Sequence, residues 1–167
     1  MTTLHAQPYD ITATGFYFDS VEEYDRNAAA LRNDHGDVVE EFEIQFIDGD
    51  ASDCALAEAI GLTQANVRDY LACTEAWDER EKLLTIVAVG ECGYDFDPDA
   101  NPDRHDIDIY HVSSLRELAQ QFVEEGLFGE IPEHLQFYID YDAIARELGM
   151  EYAEITIAGE TLIYRAS

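Results

Sequence analysis

Apolar and polar residues alternate along Val38–Ile47 (VVEEFEIQFI), with Phe42, Ile44 and Phe46 on one side and Glu41, Glu43 and Gln45 on the other. Period two predicts a half-buried antiparallel strand whose open face carries a row of carboxylates. Upstream, Thr14–Phe18 (TGFYF) reads as a short aromatic strand. Ser20 with Glu23 three residues on has capping-box spacing and predicts a helix through Leu31. The period then changes. Asp53 is placed to cap a helix marked by Leu56 and Ile60 and stopped at Gly61; Val67, Tyr70 and Leu71 mark a second helix, and Leu83–Val89 a third, with Trp77 as a packing anchor between them.

Asp95–Asp103 (DFDPDANPD) is an acidic loop with two prolines, where a module boundary is expected. After it the pattern returns to α/β. Ile107–Val112 alternates like a strand, and Ser114 with Glu117 is a second capping-box pair opening a helix that ends before Gly126. Leu135–Leu148 has helical spacing up to Gly149. Glu154–Ala158 and Thr161–Arg165 flank Gly159-Glu160, read as a two-residue hairpin loop. The expectation is an α+β chain of three small modules, 1–61, 62–103 and 104–167, with a small antiparallel sheet and helices in each outer one.

Charge changes the picture. Among 167 residues, 37 are Asp or Glu and 9 are Lys or Arg, a net charge of −28, and Lys82 is the one lysine. Nucleic acids and anionic membranes are held by basic surface, so direct binding to either is not expected. With 47% hydrophobic residues the chain escapes the composition of disorder. No apolar run is long enough to span a membrane, and MTTLHAQPYD has no basic stretch followed by an apolar one. Cys54, Cys73 and Cys92 read as small core residues in a reducing compartment, so cytoplasm is the expected location.

The three expected modules carry −12, −7 and −9, so the acid belongs to the whole folded surface rather than to a tail. Twenty-eight charges match the count on ~48 Å of duplex DNA, ~14 base pairs, at one charge per ~1.7 Å. One reading is a protein that imitates DNA. The other is acidity serving solubility or a high-salt cytoplasm, which a single lysine also fits; composition does not separate the two.

Few other constellations carry chemistry. Asp95, Asp97, Asp99 and Asn101 echo a calcium loop, but Ala100 stands where such loops need glycine and Asp106 where they end in glutamate. His105 and His111 flank Asp106 and Asp108 without zinc spacing and read as solvent-facing. No nucleophile elbow, phosphate loop or dinucleotide fingerprint is present, and 37 acids make chance carboxylate pairs inevitable. No cofactor and no enzymatic activity are expected. Phe137, Tyr138 and Tyr141 are read as core or dimer packing.

The stretch GLFGEIPEHLQFYIDYDAIARELGMEYAEI, Gly126–Ile155, closely resembles the antirestriction motif of the ArdA family. The matching residues include Gly126, Gly129, Glu130, Pro132, Leu135, Gln136, Tyr138, Ile139, Asp140, Tyr141 and Arg146. EEFEIQFID (Glu40–Asp48), DCALAEAIG (Asp53–Gly61) and DIYHVSSLRELAQQFVEEG are also similar to ArdA, whereas the first fifteen residues match the pattern least.

The resemblance implies a protein of mobile genetic elements that inhibits type I restriction-modification enzymes as an elongated acidic homodimer of three modules per chain. Its carboxylates would replace phosphates in the DNA-binding channel of the specificity and methylation subunits. The carboxylates proposed for that role are Asp19, Glu22, Glu23, Glu41, Glu43, Asp48 and Asp50 upstream, and Glu130, Glu133, Asp140, Asp142 and Glu147 in the motif. They are expected in two lines spaced like opposing phosphate strands, with Asp140 and Glu147 two helical turns apart on one face. The alternative function is an acidic cation-binding or protein-interaction module without DNA mimicry.

Overall fold

In the computed structural model, which describes all 167 residues, the alternating segment becomes one edge of a three-stranded antiparallel sheet. The central strand is β1 (Thr3–Pro8), flanked by β2 (Phe16–Phe18) and β3 (Phe42–Asp48). Strand β1 lies ahead of Thr14, where no element was predicted. Its Leu4 and Ala6 face the core, Leu4 opposite Phe18 and Phe46, Ala6 opposite Phe16 and Ile44. On the other face the His5 ring packs at a tilt against Tyr17, with ring centroids 4.6 Å apart. Gly15 is needed there: a Cβ would sit 2.6 Å from the Ala6 carbonyl oxygen and 2.7 Å from the His5 ring.

Helix α1 (Val21–Ala30) starts as its capping residues predict, with Ser20 Oγ accepting from the Glu23 amide at 3.2 Å. The Glu23 carboxylate turns back to the Asp19 amide at 3.0 Å, one residue before the cap. Tyr24 seals this helix onto the sheet in an aromatic cluster with Phe16, Phe18 and Phe42.

The helical segment holds α2 (Ala51–Ile60), α3 (Val67–Ala76) and α4 (Glu79–Gly90). Helix α2 begins earlier than predicted: Asp50 is at its N-cap, and Asp53 is buried inside its first turn. Its end follows the sequence, because Gly61 at φ 64° lets Leu62 N–H reach the Ala57 carbonyl and Gly61 N–H the Glu58 carbonyl. The reciprocal capping box of this segment is Asp78 with Glu81, which the sequence reading passed over. Leu56, Val67, Tyr70 and Val87 are at the core of these helices. Helix α2 packs chiefly on α4, although the expected first module ended with it.

The second sheet has β6 (Glu160–Ala166) between β4 (Ile107–Tyr110) and β5 (Ala153–Ile157). Helix α5 (Leu115–Glu124) buries Leu118, Ala119 and Phe122, and its core includes Val112, Tyr152 and Ile163. The hairpin loop is Ala158-Gly159, one residue earlier than predicted. Both residues have positive φ, 53° and 80°, with Ile157 paired to Glu160, which is the type I′ arrangement.

The predicted helix over Leu135–Leu148 is two elements. Glu133–Tyr138 is a 3-10 helix, Ile139 is extended, and α6 (Tyr141–Leu148) starts afresh with the Asp140 carboxylate accepting from Ala143 N–H at 3.0 Å. The chain is α+β, with two three-stranded antiparallel sheets, and divides into two compact units, Met1–Arg104 and His105–Ser167.

Candidate functional site

Charge neutralisation inside the chain is sparse. Eight carboxylates meet a lysine or arginine within 4.0 Å: Glu23, Asp25, Asp53, Glu79, Asp97, Asp103, Asp108 and Asp142. Arg32 is instead turned onto the Ala29 and Leu31 carbonyls at the C-terminal end of α1. Most of the 37 acids therefore have no basic neighbour, and their negative potential faces water.

In the first unit, Glu22, Glu41, Glu43, Asp48 and Asp50 are exposed, while Asp19 and Glu23 are half-buried. Glu22 and Glu23 occupy the first turn of α1, where the helix dipole favours negative charge. Glu41 precedes β3 and Glu43 lies on its open face, where Gln45 Nε2 donates to it at 3.3 Å. Glu23 is committed to the helix start and to Arg26, so it is less available to a partner than its neighbours. Asp10, outside the predicted set, has its carboxyl held below the usual aspartate range by hydrogen bonds from Asn33 and Thr12.

In the second unit, Glu130, Glu133, Asp140, Asp142 and Glu147 are all exposed. Two of them have structural tasks: Asp140 caps α6, and Asp142 is paired with Arg116, whose guanidinium also lies 5.9 Å from the Tyr141 ring centroid. Asp140 sits at the N-cap of α6 and Glu147 lies inside the same helix.

The residues of the motif are held up by glycines. Helix α5 ends at Gly126, φ 78°, with Leu127 N–H bonded to the Phe122 carbonyl and Gly126 N–H to that of Val123. Gly129, φ 90°, turns the chain again, into Glu130, Ile131 and Pro132. Leu135, Gln136, Phe137 and Tyr138 follow on the 3-10 helix, with Phe137 95% and Tyr138 83% exposed. They are not core, which removes one of the two readings of these aromatics; Tyr141 is half-buried. Leu127, Phe128, Leu135 and Met150 are further exposed apolar residues of this unit. Arg146 is exposed on α6. Glu130, Ile131 and Gln136 line both of two open concavities of about 630 and 550 Å³.

The acidic loop is not built as a cation site. Asp97 accepts from Asp99 N–H and pairs with Arg104, Asn101 accepts from Asp103 N–H, and Asp103 pairs with Arg80. The Asp97, Asn101 and Asp103 side chains are thus engaged by local amides and arginines, and no group of three or more His, Cys, Asp or Glu is arranged to hold a metal ion. His105 is buried, contrary to expectation, whereas His111 is exposed beside Glu160 at 3.2 Å.

A buried network escaped the sequence reading. Lys82 Nζ lies 2.7 Å from Asp53 Oδ1, Thr2 Oγ1 donates to Asp53 Oδ2 at 2.6 Å, and the Tyr70 hydroxyl donates to the Asp53 carbonyl at 2.8 Å. Burial raises the Tyr70 hydroxyl well above its usual range, so it stays a donor. The signal was present: Lys82 sits beside the apolar run of α4 and is the one lysine in the chain.

No helix is long and apolar enough to cross a membrane. A model of the family described as antirestriction protein (ArdA) matches residues 7–160. A comparison with curated proteins finds no match.

Proposed function

The chain belongs to the ArdA family of antirestriction proteins, and from that premise we propose that it inhibits type I restriction-modification enzymes by presenting carboxylates where those enzymes hold DNA phosphates. The observation that carries this reading is the excess of exposed acids without a basic neighbour on both units. Lysines and arginines that line a DNA channel would find acceptors there without any base pair to read. The protein acts as a binding inhibitor rather than an enzyme, without a cofactor, and its place of action is the cytoplasm.

The finer features belong to the same proposal. Twelve carboxylates, from Asp19 to Glu147, contribute collectively. Three modules, 1–61, 62–103 and 104–167, carry them. Homodimerisation doubles the imitated length; the exposed apolar residues Leu127, Phe128, Phe137 and Tyr138 support it, because large apolar groups gathered in one unit gain by leaving water. The contacts on the enzyme are made with its specificity and methylation subunits.

Cleavage of unmodified DNA by a type I enzyme tests the reading. Each exposed ion pair contributes ~0.2–1 kcal/mol, so single Asp→Asn or Glu→Gln substitutions leave inhibition within about fivefold. Neutralising Glu22, Glu41, Glu43, Asp48 and Asp50 together is expected to weaken it far more, with circular dichroism unchanged. Undiminished inhibition by that variant would argue against carboxylate mimicry.

A further inference from the structure

Beyond the sheet end of β1 and β3, residues 9–10 and 38–41 run side by side, tied by the Tyr9 N–H to Glu41 carbonyl bond of 3.2 Å. Between them lies a cavity of about 210 Å³ lined by Tyr9, Asp10, Val38, Val39, Glu40 and Glu41. Its walls are of two kinds. Tyr9 and Val38 are large apolar residues left 66% and 57% exposed. The Glu40 and Glu41 side chains are exposed acids that meet no Lys or Arg, and their backbone carbonyls accept bonds from Gln64 and Tyr9. The Asp10 carboxylate is already satisfied by Thr12 and Asn33 and serves to fix the wall. Arg32, which bridges to Val38 through its backbone, directs its guanidinium to the carbonyls of Ala29 and Leu31.

Water gains nothing from the apolar walls, and an apolar ligand would strand the two carboxylates. A long cationic side chain satisfies both, with its stem on Val38 and its head at the acids. At about 210 Å³ the cavity has room for one long side chain. Arginine fits better than lysine, because its flat guanidinium stacks on a tyrosine face while donating in-plane to carboxylates.

We infer that this cavity is a docking pocket for a single arginine side chain of the basic partner, with Tyr9 and Val38 as its apolar walls and Glu40 and Glu41 as its acceptors. For the identity of the partner this rests on the proposed function, which it deepens: one part of the acidic surface selects a side chain by shape, where the rest acts by charge. Tyr9, Val38 and Glu40 thereby join Glu41 as contact residues.

Titration of the ¹⁵N-labelled full chain with N-acetyl-arginine methylamide at low salt tests the pocket directly. Saturable shifts confined to the amides of residues 9–10 and 38–41 are expected, with none from the neutral citrulline analogue. Glu40→Gln with Glu41→Gln is expected to weaken binding about three- to tenfold. Tyr9→Leu keeps an apolar wall and should weaken it too, by removing the stacking face. A control at equal net charge, Glu91→Gln with Asp95→Asn, should change nothing. Shifts spread over all exposed acids, or equal loss in the control, would overturn the inference. No restriction enzyme enters this titration. A saturable arginine site in a protein that fails to displace DNA would sink the proposed function and leave the pocket; the reverse result would sink the pocket alone.

Discussion

Lys82 is 5% exposed, and its charge is met by Asp53 at 2.7 Å. Removing one member of a buried pair leaves the other uncompensated, at a cost of ~3–5 kcal/mol. Lys82→Met should therefore lower the urea midpoint sharply, and adding Asp53→Leu should recover most of the loss. A change under ~1 kcal/mol from Lys82→Met would mean that the pair is not buried in solution. Burial also pushes the Cys73 thiol up to about 12. It should resist Ellman's reagent at pH 8 in the native protein and react once urea unfolds the chain. These residues show what a linear pattern hides. Asp53 looked like a helix cap because aspartate before an apolar run usually is one; only the folded neighbours Thr2, Tyr70 and Lys82 reveal it as a buried strut.

At the scale of elements, period and caps were readable where local chemistry decides alone. The alternation of Phe42 and Ile44 and the Ser20 and Ser114 caps are such cases. Strand β1 was not readable, because a strand containing Thr3, His5 and Gln7 has a weak signature until β2 and β3 pair on both sides. The break before α6 is a contest between a helical apolar spacing and a good cap: Asp140 satisfies the first-turn amide of Ala143, and the cap prevails over helix continuity. Asp140→Ala should cost ~1 kcal/mol in thermal unfolding, so any loss of inhibition by that variant needs a stability control. In the hairpin, Ala158 sits at φ 53°, a region alanine disfavours. Ala158→Asn, giving Asn-Gly at a type I′ turn, is expected to raise stability by ~0.5–1 kcal/mol in a denaturant titration. An unchanged or lower midpoint would contradict that turn.

At the scale of the molecule, net charge and family were the most legible features, since both are sums over many residues. The exposed apolar residues around Phe137 were not, because the same aromatic spacing serves a core or an outward face. A charge of −28 opposes folding by self-repulsion, and the Debye length falls from ~10 Å at 0.1 M salt to ~3 Å at 1 M. Added KCl should therefore raise the melting temperature while weakening the complex with a basic partner. A melting temperature that falls with KCl would contradict this account. At the acid end, hydrogen bonds hold the Asp10 and Glu117 carboxyls below their ordinary values of 3.8 and 4.5. Each such bond contributes stability that is complete above the ordinary value and fades as pH falls through the lower folded one. An acid limb below about pH 4.5 is expected in a pH series of melting temperatures, less steep in Glu117→Gln.

The most direct measurement is displacement of a labelled cognate duplex from a type I methyltransferase complex by the purified protein, at low and moderate salt. The account predicts release at near-stoichiometric protein, weakening as salt rises, with the protein and the duplex mutually exclusive on the enzyme. A duplex that stays bound while the protein also binds, or a protein that does not bind at all, would contradict occupation of the DNA channel.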